Sequence, residues 1–151
     1  MAAIKSKDTK PELIVRKFLF KKGFRYRLNL NRLPGHPDIV LKKYRTVIFV
    51  NGCFWHGHDC KFASIPKSNI QFWKYKILRN QERDKLTIQK LANMGWNSIT
   101  VWECQLKNNV RTDTLNALEH TLNSIFLMNN KKYNLKQNQL KIAAEEQVEY
   151  N

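Results

Sequence analysis

Apolar residues recur along the chain in two different rhythms. In "DTKPELIVRKFLFKKG" they fall at Leu13, Ile14, Phe18 and Leu19, a helical spacing closed by Gly23, which predicts a first helix over about residues 10 to 22. "FRYRL" then alternates and "NRLPGHP" breaks the chain, so a short strand and a turn are expected. "DIVL" and "TVIFV", joined by the basic "KKYR", read as the two strands of an antiparallel hairpin. From about Asn69 to Met94 the pattern is long, charged and amphipathic, with apolar points at Phe72, Ile77, Leu86, Ile88 and Leu91 and a natural stop at Gly95. "WNSITVWEC" alternates again and predicts a core strand ending at Cys104, followed by a last helix over about 111 to 129. The Asn-, Gln-, Lys- and Glu-rich remainder carries too few apolar residues to order itself by burial. Residues 1–130 are therefore expected as one domain, and 131–151 as an appended tail, helical in part or disordered. Helices alternating with strands predict an α/β fold, a mixed central sheet flanked by helices.

Composition narrows what such a domain is for. At 151 residues and 42% hydrophobic the chain can bury one core. Lys+Arg 27 against Asp+Glu 12 gives +15, an excess that points to a polyanion, nucleic acid first; the alternative is a basic surface that serves solubility alone. No apolar run approaches the roughly 20 residues of a membrane-spanning helix, so no membrane partner is expected. "MAAIKSKDTKPE" has no apolar core of a secretion signal, and a cytoplasmic location is expected. Three cysteines in a reducing compartment suggest metal binding or reactive thiols rather than a disulfide framework.

Two clusters of residues carry candidate chemistry. "NGCFWHGHDC", residues 51–60, holds Cys53, His56, His58 and Cys60, and Cys104 lies at the end of a predicted strand. Three thiolates and one imidazole fill a closed structural zinc site, which leaves one histidine surplus; buried structural thiols with two surface histidines are the alternative. The second cluster is acidic. "PGHPDIVL" places Asp38 at the mouth of a strand beside "TVIFV", where a carboxylate and neighbouring backbone carbonyls suit a hard divalent ion such as magnesium; a turn aspartate after proline is the plainer reading. "TKPE" has the form of a capping box, which gives Glu12 a structural role unless it faces Asp38.

Five blocks, "SKDTKPE", "LPGHPDIV", "VIFVNGCFWHGHDC", "FWKYKILRNQERD" and "GWNSITVWEC", resemble in order and spacing the very short patch repair (Vsr) mismatch endonucleases, over about residues 3 to 106. The resemblance implies a restriction-endonuclease-like fold, PD-(D/E)xK-related, with a structural zinc beside the active site. It implies magnesium-dependent nicking of one strand of double-stranded DNA, 5′ to the thymine of a T·G mismatch. Asp38 resembles the family's metal-binding aspartate, with Val50 supplying a backbone carbonyl, and His56 its catalytic histidine. Glu12 matches a supporting acid, and Cys53, His58, Cys60 and Cys104 match the zinc ligands. Phe54, Trp55 and Trp73 match side chains that wedge into DNA beside the mismatch, at a cost of a few kcal/mol per unstacked step; core aromatics are the alternative. Lys61, Lys67, Lys74, Lys76, Arg79 and Arg83 are candidates to track phosphates. A monomer in the bacterial nucleoid, working with mismatch-repair proteins, completes the expectation.

Asn51 stands where the family usually has a second active-site histidine, and asparagine cannot exchange a proton near neutral pH. Little chain precedes Ile4 to serve as the family's N-terminal arm. Alternatives are thus a restriction-type or mobile-element nuclease that cuts paired DNA, and a zinc-stapled DNA-binding protein of weakened chemistry.

Overall fold

Thr9 starts the first helix, α1 (Lys10–Lys21): its hydroxyl accepts the Glu12 N–H at 3.4 Å, Pro11 occupies the first turn, and Gly23 follows the end at φ +89°. The computed structural model describes residues 7–149, so the segment before Ile4 and residues 1–6 of "MAAIKSKDTKPE" lie outside the described residues. The capping box is only half formed. Glu12 accepts not from Thr9 but from the Asp8 N–H at 3.0 Å, and its side chain is buried with that of Arg16.

Strands β1 (Arg27–Leu28), β2 (Ile39–Leu41), β3 (Thr46–Asn51) and β4 (Asn97–Trp102) form one sheet in that order. β1 with β2 and β2 with β3 are antiparallel, and β3 with β4 is parallel. The hairpin turns through a short 3-10 segment, Lys42–Tyr44, closed by Arg45 in the left-handed region. A parallel neighbour requires a crossover, which α2 (Ile70–Asn93) provides. Because β2 is covered on both faces, its three residues are all buried: Ile39 and Leu41 pack with Val15 and Leu19 of α1 and with Leu115, Leu118 and Leu122, whereas Val40 joins Val47, Leu33 and Leu91 on the other face. The expected architecture, a mixed sheet flanked by helices, is the observed one and is consistent with the restriction-endonuclease-like fold.

Three expectations need correction. Among the apolar points of α2, only Ile77 and Leu91 are buried; Phe72, Leu86 and Ile88 are exposed, because the middle of the inward face is polar and serves a cleft. β4 stops at Trp102, and Cys104 sits in a following 3-10 turn, Glu103–Leu106. The last helix, α3, runs Arg111–Glu149 without interruption. No glycine or proline occurs in that span, and a helix anchored by buried leucines propagates at little cost per added residue. Among the described residues, no helix is long and apolar enough to cross a membrane.

Candidate active site

The C-terminal ends of β3 and β4, the start of α1 and the middle of α2 enclose a cleft of about 870 Å³. Asp38 enters it from the start of β2 behind the buried Pro37, and its Oδ2 accepts the Val50 N–H at 2.7 Å. The N–H and C=O of a strand residue point to the same side, so the Val50 carbonyl faces the Asp38 edge as well. Burial pushes the Asp38 carboxyl up to about 6, and the neighbouring Glu12 charge adds to this. The Val50 N–H, Arg16 and His56 pull the other way. Glu12 therefore shares the cleft with Asp38, near enough for the two charges to interact. It is held there by Arg16, whose guanidinium also bridges to Asp8 at 2.7 Å.

His56 lies in the same cleft with Nδ1 2.6 Å from Asp84 Oδ2. A carboxylate at Nδ1 assigns the proton to that nitrogen, which leaves Nε2 as the basic one. Asn51, the last residue of β3, pairs with Trp102 and also lines the cleft. The loop carrying His56 is stapled to α2: Asn80 Nδ2 donates to the Trp55 carbonyl at 2.8 Å and Gln81 Nε2 to that of Gly57 at 3.2 Å. Gly57 sits at φ +63°, and a Cβ there would collide with Gln81 and Ile77, so only glycine permits this approach.

Across the loop, one ligand atom each from Cys53, His58, Cys60 and Cys104 lie within 4.8 Å of one another. A tetrahedral zinc with sulfur at about 2.3 Å needs ligand atoms about 3.8 Å apart, and the Cys104 Sγ to His58 Nδ1 separation is 3.4 Å. Burial pushes the Cys53 thiol up to about 12, with the crowding of Cys104 and Cys60 adding to it; a cation at the centre would reverse that penalty. These residues can hold a metal such as zinc. His58 is oriented by stacking on Trp102, with centroids 4.1 Å apart and planes 8° from parallel. Of the two histidines in the segment, His56 is the one outside the cluster.

Phe54, Trp55 and Trp73 cluster at the rim with ring centroids 5.1 to 5.8 Å apart, and Lys76 stands over Trp55 at 5.2 Å. All three rings are half-buried rather than core. The basic residues divide. Arg83 lines the cleft, whereas Lys74 and Arg79 are exposed on α2 and do not line it, Arg79 lying over Tyr75. Lys61 stands over Phe62, and Lys67 is exposed.

Asp84, Arg16, Asn80 and Gln81 were not singled out from the sequence. The signal was present in α2: Ile77, Gln81, Asp84, Ile88 and Leu91 follow a 4-3-4-3 spacing, and polar residues on an otherwise apolar inward stripe mark a wet site. Arg16 gave no such signal, since one arginine among the lysines of α1 reads as surface.

The family model described as "DNA mismatch endonuclease Vsr" matches residues 1–62. A type II nicking enzyme of Neisseria meningitidis serogroup A is 57% identical over 108 residues, covering 72% of this chain and 77% of the relative. A type II nicking enzyme of Xanthomonas oryzae is 44% identical over 125 residues, covering 83% and 88%. The DNA mismatch endonuclease Vsr of Escherichia coli is 42% identical over 107 residues, covering 71% and 69%. With this identity spread over most of each chain, the protein belongs to the Vsr family of DNA endonucleases.

Proposed function

We propose that this endonuclease nicks one strand of double-stranded DNA 5′ to the thymine of a T·G mismatch, with magnesium as its catalytic ion and zinc as a structural one. The observation that carries the reading is the convergence of Asp38, Glu12 and the His56–Asp84 pair in one cleft beside the Phe54–Trp55–Trp73 cluster. Nicking is the activity named for the Neisseria and Xanthomonas relatives, and mismatch is named for the Escherichia coli one.

The Asp38 carboxylate and Val50 carbonyl form a hard-oxygen donor set suited to magnesium, supported by Glu12; Cys53, His58, Cys60 and Cys104 would hold zinc. When bound, magnesium supplies positive charge to the scissile phosphate and to the leaving 3′-oxygen. His56 Nε2 takes the proton from the attacking water, while Asp84 fixes the ring and stabilises its protonated form. Arg16, which does not itself line the cleft, holds Glu12 in place. The aromatic rim inserts beside the mispair, where stacking is already weakened, so unstacking costs less there than at a paired step. Asn51 can only hydrogen-bond to the DNA, which leaves His56 as the single imidazole of the "NGCFWHG" turn that serves the cleft.

A nicking assay on matched T·A and mismatched T·G duplexes, with and without magnesium, tests this directly. The expected result is magnesium-dependent cutting of the T·G duplex alone, leaving 5′-phosphate and 3′-hydroxyl ends. Equal cutting of both duplexes would identify a restriction-type nuclease instead, and binding without cutting would identify a DNA-binding protein of decayed chemistry.

A further inference from the structure

Helix α3 is held to the body only over its first half. Leu115, Leu118 and Leu122 are buried, Phe126 packs on Tyr44 with centroids 5.5 Å apart, and Asn129 Nδ2 donates to the Tyr44 carbonyl at 3.3 Å. Tyr44 belongs to the turn that leads into the start of β3, and the cleft lies at the other ends of β3 and β4. The helix therefore leaves the sheet on the side away from the cleft. Residues 130–147 are exposed throughout, and at about 1.5 Å per residue they extend about 27 Å.

One face of this projection is patterned. Met128, Leu135 and Ile142 recur every seven residues, and all three are exposed by more than half. On the same face, three or four residues from these, lie Lys131 and Lys132 at the near end, Asn138 and Gln139 in the middle, and Glu145 and Glu146 at the far end. A stripe with cations at one end and anions at the other complements itself when reversed. Laid antiparallel on its own copy, it places Leu135 against Ile142, Lys131 against Glu146 and Lys132 against Glu145, with the two amides about the two-fold axis. A parallel arrangement would set lysine on lysine and glutamate on glutamate.

We propose that this face of α3 pairs antiparallel with the same face of a second copy, in place of the monomer expected from the sequence. DNA fits the face less well, because its outer end is acidic and it points away from the cleft. The resulting dimer carries two outward clefts joined by an antiparallel helix pair. A contact of this length falls near the lower end of stable interfaces, about 1,000 Å², so half-association is expected on the order of 10–100 μM.

Sedimentation velocity of the full chain from about 1 to 200 μM tests this. The mass should rise from 18.0 kDa towards twice that value. Lys131→Glu with Lys132→Glu should move the midpoint up by at least about tenfold, as should Glu145→Lys with Glu146→Lys, and all four together should restore it. A chain that stays monomeric throughout, or a dimer indifferent to charge reversal, overturns the proposal. So does a reversal that weakens DNA binding and leaves the sedimentation unchanged, since the face would then be a DNA contact.

Discussion

Replacing Asp38 with asparagine should stabilise the magnesium-free protein while abolishing nicking. The carboxyl is pushed by burial from 3.8 to about 6, so the fold favours its protonated form. Stability from a raised carboxyl is fully present below the unfolded value and is lost as pH rises through about 6, so at neutral pH the ionised Asp38 works against folding. The gap corresponds to about 3 kcal/mol at 1.36 kcal/mol per tenfold change in acidity, and partial solvent contact at the cleft trims this to about 2 kcal/mol. Asparagine keeps an oxygen for the Val50 N–H and carries no charge, so the variant should recover most of that difference. Urea denaturation in zinc-containing, magnesium-free buffer should show a gain of about 2 kcal/mol at pH 7.5 and about half as much at pH 5. Added magnesium should raise the midpoint of the native protein and leave the variant unmoved. A variant less stable than the native chain, or equally stabilised at both pH values, would refute the picture of Asp38 as an uncompensated carboxylate awaiting a cation.

Asp84→Asn should lower kcat for nicking by about 10²–10⁴-fold with zinc content and circular dichroism unchanged, because it removes the partner that sets the His56 tautomer. His56→Ala should abolish nicking yet retain zinc by metal analysis, whereas Cys104→Ala should lose zinc and the folded state together; zinc release on the His56 change would mean that the ligand set is wrong. Gly57→Ala should cost about 1–3 kcal/mol in urea denaturation, since the loop must either strain at φ +63° or pull away from Gln81.

The elements that pack by simple periodicity could be read from the sequence nearly to the residue: α1 (Lys10–Lys21), the β2–β3 hairpin, and α2 (Ile70–Asn93). Counting ligands in the Cys/His group leaves open which histidine is surplus; the family resemblance names His56, and three-dimensional proximity places His58, stacked on Trp102, inside the cluster and turns His56 to Asp84. The His56–Asp84 pair joins positions 28 residues apart on a loop and a helix, and no local rule links them. Glu12 misleads in the other direction, because a capping-box pattern predicts a helix-start carboxylate where the chain places one that lines the Asp38 cleft. The sequence places the end of the last helix near 129, where apolar burial stops, and leaves the tail open between helix and disorder; its helix is ordered not by burial but by continuing one already nucleated by Leu115, Leu118 and Leu122.

The Cys/His cluster also has a consequence for the chain as a polymer. Cys53 and Cys104 are 51 positions apart, immediately after the parallel strands β3 and β4, and the segment between them contains all of α2. With metal in place, this cluster acts as a cross-link closing a 51-residue ring, which by chain entropy alone is worth about 4 kcal/mol against the unfolded ensemble. Everything that forms the α2 wall of the cleft, including Asp84, Asn80 and Trp73, lies inside that ring. An ion held at its base would govern the conformational freedom of the whole wall, and chelation should then release ring, wall and aromatic rim as a single cooperative unit.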